Sequence, residues 1–123
     1  MGIADPHDRG QLVAVVGVAN GAVATSGPAE RGHHILDPRT GRPATGTASA
    51  TIVTDGLTQA DVWATAAVVA GPANRSWIAA AGSRTGIIVD DEHHVTRWLG
   101  TTIVDVQTTA GSQPIGGYAL VQA

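Results

Sequence analysis

No helix can run through the stretch His33-His34-Ile35-Leu36-Asp37-Pro38-Arg39-Thr40-Gly41-Arg42-Pro43. Each of its two prolines fixes φ and removes an amide donor, and each drives the residue before it toward an extended conformation. The segment is therefore a stiff loop folded about a Thr-Gly turn, and the rest of the chain is placed relative to it. It gathers two imidazoles, a carboxylate, two guanidiniums and a hydroxyl, more polar chemistry than a connection requires. Such a loop can hold an anion.

Ahead of the loop, Asp5 to Gly10 is polar and rich in breakers, and Leu12 to Val18 is a compact β-branched run that suits a buried strand. Asn20-Gly21 tolerates positive φ and predicts a hairpin that returns as Ala22 to Thr25, ended by Ser26-Gly27-Pro28. After the loop, Thr47 to Thr54 reads as a third strand closed by Asp55-Gly56. The period then changes. Thr58 is the predicted N-cap of a helix running to Ala70, which Gly71-Pro72 stops, and a shorter helix spans Asn74 to Ala81 before Gly82. Thr85 to Val89 and Val95 to Trp98 flank the acidic turn Asp90-Asp91-Glu92 as a second hairpin. Strands follow at Thr102 to Val106 and Tyr118 to Val121, with a Gly/Ser/Gln-rich linker between them. The pattern predicts an α+β domain, a mostly antiparallel sheet with two helices from Thr58 to Ala81 packed on it.

Composition narrows the function classes. With 123 residues the chain is one domain, and with 3% aromatic residues and no Phe its core must come mainly from Ala, Val and Ile. A net charge of −3 provides no basic stripe for nucleic acid. All seven basic residues are Arg, which excludes a catalytic lysine, and the absence of Cys excludes disulfides, thiolate nucleophiles and cysteine-bound metal. Neither a signal peptide nor a membrane-spanning run is legible, so the chain reads as soluble and cytoplasmic by default.

Asp61 and Thr65 stand four apart on the first helix, so both project from one face near its N-terminal end. A carboxylate beside a hydroxyl suits Mg²⁺, a hard cation that keeps water or phosphate as its other ligands. The alternative is that Asp61 closes a capping box with Thr58 while Thr65 faces the core. His33 and His34 point to opposite sides of an extended loop and no third histidine has suitable spacing, which argues against zinc. One of them suits a general base, its tautomer fixed by a nearby Asp37. His93-His94 reads as a solvated turn, and Glu30-Arg31 as a surface pair or as an orienter of the loop's start.

Taken in order, Gly21-Ala22-Val23-Ala24-Thr25-Ser26-Gly27, Glu30-Arg31, His34 to Pro43 and Ala60-Asp61-Val62-Trp63-Ala64-Thr65-Ala66 resemble the C-terminal half of the FAD:protein FMN transferases, the ApbE-like family. The likeness runs from about Gly2 to Thr96. It implies a flavin transferase C-terminal domain over residues 1–98, with 99–123 an extension of unknown role. The implied reaction is Mg²⁺-dependent transfer of FMN from FAD to a threonine of an acceptor flavoprotein, with release of AMP. In that pattern Asp61 and Thr65 hold the metal, His34 is the base, Ile35 lines the flavin, and Arg39 and Thr40 belong to the same surface. Family members are longer, and their N-terminal half, which supplies most flavin and adenine contacts, has no counterpart here. The resemblance therefore leaves a second expectation: a catalytically silent flavin-binding or structural domain that needs a missing N-terminal half or a second copy.

Overall fold

Residues Thr47–Thr54 form a strand buried along its whole length, and that burial requires a layer on each side of it. In chain order the elements of the computed structural model are β1 (Gly2–Asp5), β2 (Asp8–Gly17), β3 (Ala22–Ser26), β4 (Leu36–Asp37), β5 (Arg42–Pro43) and β6 (Thr47–Thr54). There follow α1 (Leu57–Ala70), α2 (Ile78–Ala81), β7 (Thr85–Asp90), β8 (His94–Leu99), β9 (Thr102–Thr108) and β10 (Ala119–Gln122). The structure describes residues 2–17, 20–28, 35–108 and 119–122.

Five strands make one sheet in the order β3-β6-β7-β8-β9, with every neighbouring pair antiparallel. A second sheet has the order β1-β2-β10, in which β10 runs parallel to β2. Strand alternation sends the two faces of the large sheet into different cores. Val53, Ile87, Val89 and Val95 pack with Ile3 and Val13 of the small sheet. Ala50, Ile52, Ile88 and Trp98 pack with Ala64, Ala67 and Val68 of α1 and Ile78 of α2. The result is three layers, sheet on sheet on helices, an α+β arrangement of mostly antiparallel strands and two helices.

Small residues let α1 sit close. Ala60, Ala64 and Ala67 are fully buried, and the helix lies across β3 and β6. Gly86 performs the same service for the largest side chain of the core, because a Cβ there would overlap the Trp98 indole. The Trp98 ring donates Nε1–H to Ser83 Oγ at 3.0 Å and meets Trp77 edge-on at 5.5 Å, and Trp77 stacks in turn on Trp63 at 6.1 Å. The expected Ala, Val and Ile core is present, joined by this one buried Trp.

Four local expectations are corrected. Asn20 does take positive φ (55°), but the chain passes there from the small sheet to the large one, so β2 pairs with β1 and β10 while β3 pairs with β6. The breaker-rich start holds two strands, because Pro6-His7 makes the turn between β1 and β2. Helix α1 begins at Leu57 with Gly56 as N-cap and no side-chain cap, which places Thr58 inside the first turn. The second helix is one turn long, since Asn74 Oδ1 accepts from Ser76 N and Ser76 Oγ and holds residues 74–76 in a turn. The hairpin of β7 and β8 forms as expected. The stretch after residue 98 adds β9 to the edge of the large sheet and β10 to the small one.

Candidate functional site

The helix-facing side of β3 carries Ala24 and Ser26, because Val23 and Thr25 alternate to the other side. There Ser26, with no exposed surface, meets Thr65 on α1, Oγ to Oγ1, at 3.1 Å. Thr65 is half-buried, and Asp61 stands one helical turn before it, also half-buried. The alternative role for Asp61 falls away: with Gly56 as N-cap, Asp61 lies past the first turn and closes no capping box. Ser26 and Thr65 thus meet where β3 ends beneath the first half of α1, with Asp61 one turn back on the same helix face.

Gly27 fixes that end. Its φ is +147°, and a Cβ would strike the carbonyl of Ala48 on β6, so only glycine lets the strand end press so closely on its neighbour. Thr25 Oγ1 and Thr51 Oγ1 share a 2.8 Å hydrogen bond on the opposite face and tie the same two strands.

In the loop, Ile35 is half-buried against the helix-side core, and its carbonyl accepts the Ala44 N–H at 2.8 Å. Beyond it, β4 and β5 close a short hairpin whose turn is held by its own polar groups. Asp37 O accepts the N–H groups of Thr40 and Gly41 at 3.1 and 2.8 Å. Asp37 Oδ1 accepts Arg39 N at 2.9 Å and Nε at 3.1 Å, and Oδ2 accepts Nη2 at 3.0 Å. The side-chain hydrogen bond from Arg39, followed by its backbone N–H, holds the Asp37 carboxyl below the usual carboxylate range. Asp37 is thus engaged by Arg39. Thr40 Oγ1 accepts Arg42 N at 3.1 Å.

Arg39 Nη2 also donates to the Val69 carbonyl at 3.3 Å, which docks the turn on the last turns of α1. Eight residues separate Val69 from Asp61, about 12 Å along a helix. Thr65 stands between them, one turn before Val69, so the Arg39 turn docks one helical turn beyond the Asp61 and Thr65 pair, and Ile35 lies on the same helix-side layer. His34, His33 and Glu30-Arg31 lie outside the described residues. Sequence reasoning assigned no role to Ser26, although the Thr-Ser-Gly string it belongs to was in view; only the pairing of β3 with β6 brings it beneath Thr65.

Among the described residues no three His, Asp or Glu side chains are grouped to hold a metal ion, and no helix is long and apolar enough to cross a membrane. The donor set at Asp61, Thr65 and Ser26 is all oxygen, which fits a hard cation that draws its other ligands from water or phosphate.

The order of these elements, a Ser-Gly strand end, a proline-bounded turn and a helix bearing Asp-x-x-x-Thr, has a counterpart among known proteins. The sequence model of the ApbE family matches residues 1–88, and the chain belongs to that family. Among curated proteins it is similar to the FAD:protein FMN transferase of Treponema pallidum (strain Nichols), 46% identical over 81 residues. The match takes in 58% of this chain and 22% of that protein, so the chain spans less than a quarter of the relative's length.

Proposed function

We propose that this chain contributes metal-binding and base groups to the transfer of FMN from FAD to a threonine hydroxyl of an acceptor flavoprotein, with AMP released. The observation that carries the reading is the contact between Ser26 and Thr65. A threonine that merely filled space would not need a buried serine holding its hydroxyl on the same helix face as a carboxylate. Membership of the ApbE family and the printed activity of the Treponema relative support the same chemistry.

In this reading Asp61 and Thr65 hold Mg²⁺, which supplies charge neutralisation to a pyrophosphate and its leaving group. Asp61 brings the negative charge. Thr65 brings a neutral oxygen whose direction is set by Ser26, so its lone pair is oriented before any ligand arrives. His34 takes the proton of the acceptor hydroxyl, and Ile35 offers an apolar wall to the flavin. Arg39 and Thr40 stiffen the turn that follows and border the same surface.

The test is AMP release and covalent FMN with FAD, Mg²⁺ and an acceptor peptide, run on the chain alone and after mixing with the N-terminal part of a full-length relative. Asp61→Ala should lower both products on the order of a hundredfold or more. His34→Ala should suppress transfer to threonine more than hydrolysis of FAD, because water needs less help from that base. Activity undiminished in Asp61→Ala would sink the metal assignment.

A further inference from the structure

Ser26, Ala50, Ile88 and Thr96 form one cross-strand row over the helix-facing side of the large sheet, each paired with the next. Three strand spacings place Thr96 about 14 Å from Ser26. At that far end, where α1 has already stopped at Gly71, a cleft of about 360 Å³ opens between the connection to α2 and the β7–β8 hairpin. Pro72, Ala73 and Ile88 make its apolar wall, and Arg75, Asp90, His94 and Thr96 its polar side.

Arg75 and His94 are each oriented by their neighbours. Arg75 donates Nε–H to the Pro72 carbonyl at 3.3 Å and Nη2–H to Thr96 Oγ1 at 3.4 Å, which leaves three of its five N–H groups for a ligand. His94 Nδ1 faces Asp90 Oδ2 at 3.0 Å, so the ring nitrogen left to meet a ligand is Nε2. Asp90 lines the cleft as well, but its carboxylate is engaged within the turn, since Oδ1 accepts the N–H groups of Glu92 and His94 at 2.9 and 2.8 Å and Oδ2 faces His94 Nδ1. Glu92 lies farther from the imidazole, at 3.9 Å, and is mostly exposed.

We propose that this cleft is a second binding site, for a small organic oxyanion whose carboxylate or phosphate head meets Arg75 and His94 while an apolar body lies against Pro72, Ala73 and Ile88. A planar guanidinium with its fork partly unspent selects an oxyanion. A volume several times that of the head group calls for the apolar body. The site shares no residue with Asp61, Thr65 or Ser26, so it stands or falls independently of the flavin chemistry.

The experiment is an amide-resolved NMR titration of the intact chain with benzoate, phenyl phosphate and, as the cationic counterpart, benzamidine. Saturable shifts at Ala73, Arg75, Ile88, His94 and Thr96 are expected with one or both anions and not with benzamidine; the anion that saturates at the lower concentration identifies the head group. Arg75→Met should weaken binding about tenfold or more, and His94→Leu by a smaller factor. Asp61→Ala should leave it unchanged. Should Arg75→Met lose its spectral dispersion, His94→Leu and the benzamidine comparison still decide the matter. The proposal is overturned by non-saturating shifts, by equal binding of benzamidine, or by an Arg75→Met protein that is folded and binds as before.

Discussion

In the turn from Asp37 to Arg42 a carboxylate meets three N–H groups of Arg39, two residues away, whereas on α1 the Thr65 hydroxyl meets a serine 39 residues earlier in the chain. Both regions are rich in polar atoms, and sequence alone gives them similar weight. The turn spends its polar atoms on itself and gains stiffness. The helix face spends one hydroxyl on a distant strand, which fixes the direction of the Thr65 oxygen relative to the sheet. A dense polar loop is thus weaker grounds for a site than a single long-range contact between a buried hydroxyl and a half-buried one.

The sharpest way to break this contrast is at Gly27, the residue that seats the end of β3 against β6. Gly27→Ala should destabilise the domain by on the order of 3 kcal/mol, through a strained φ and overlap with the Ala48 carbonyl, and should displace Ser26 from Thr65. Chemical denaturation measures the first effect, and AMP release by the surviving folded fraction measures the second.

Thr65→Val is milder and more specific. It strands the buried Ser26 hydroxyl, so the denaturation midpoint should fall by the equivalent of about 1–3 kcal/mol. Mg²⁺-dependent AMP release should fall with it, and Thr65→Ser should recover most of both. In a cycle with Ser26→Ala, additive stability losses would mean that the two hydroxyls do not act as a pair.

The turn should answer locally. Asp37 has a lowered carboxyl value in the folded state, so its contribution to stability is present above the ordinary carboxylate range and is lost as the pH falls through that lowered value. Arg39→Ala should move the Asp37 titration, followed by carboxyl-carbon NMR, back up toward the ordinary range. The global unfolding transition near neutral pH should shift little, because the turn is exposed. A large shift would mean that the Arg39 contact to Val69 anchors α1, and the two regions would then be less distinct than their bonding implies.

What the sequence made legible was what local chemistry decides. The helix through Asp61 and Thr65 follows from its composition and from Gly71-Pro72, and the β7–β8 hairpin from its acidic turn. The alternative offered for Asp61 rested on Thr58 as N-cap, a role the helix gives to Gly56 one residue before its start. Of Asn20-Gly21 only Asn20 takes the positive φ that both tolerate, and the partner of β3 depends on which β-branched run lies beside it, a choice made across 24 to 32 residues. The pairing that decides it also brings Ser26 to Thr65, which is why that residue had no visible role. Arg75 and His94 were hidden for the same reason: their neighbourhood is created by α1 ending short of the hairpin.

The tryptophans carry an optical consequence. Trp63, Trp77 and Trp98 touch in series on the helix side of the large sheet, and the chain has only these three. Its indole emission and near-ultraviolet dichroism therefore report the helical layer, with ring-to-ring coupling expected from contacts of 6.1 and 5.5 Å. Detachment of β1 and β2 from the opposite face would leave that spectrum almost unchanged, while separation of α1 from the sheet would abolish it. An unfolding transition followed by fluorescence and again by amide absorbance would thus tell which of the two outer layers leaves first, without any label.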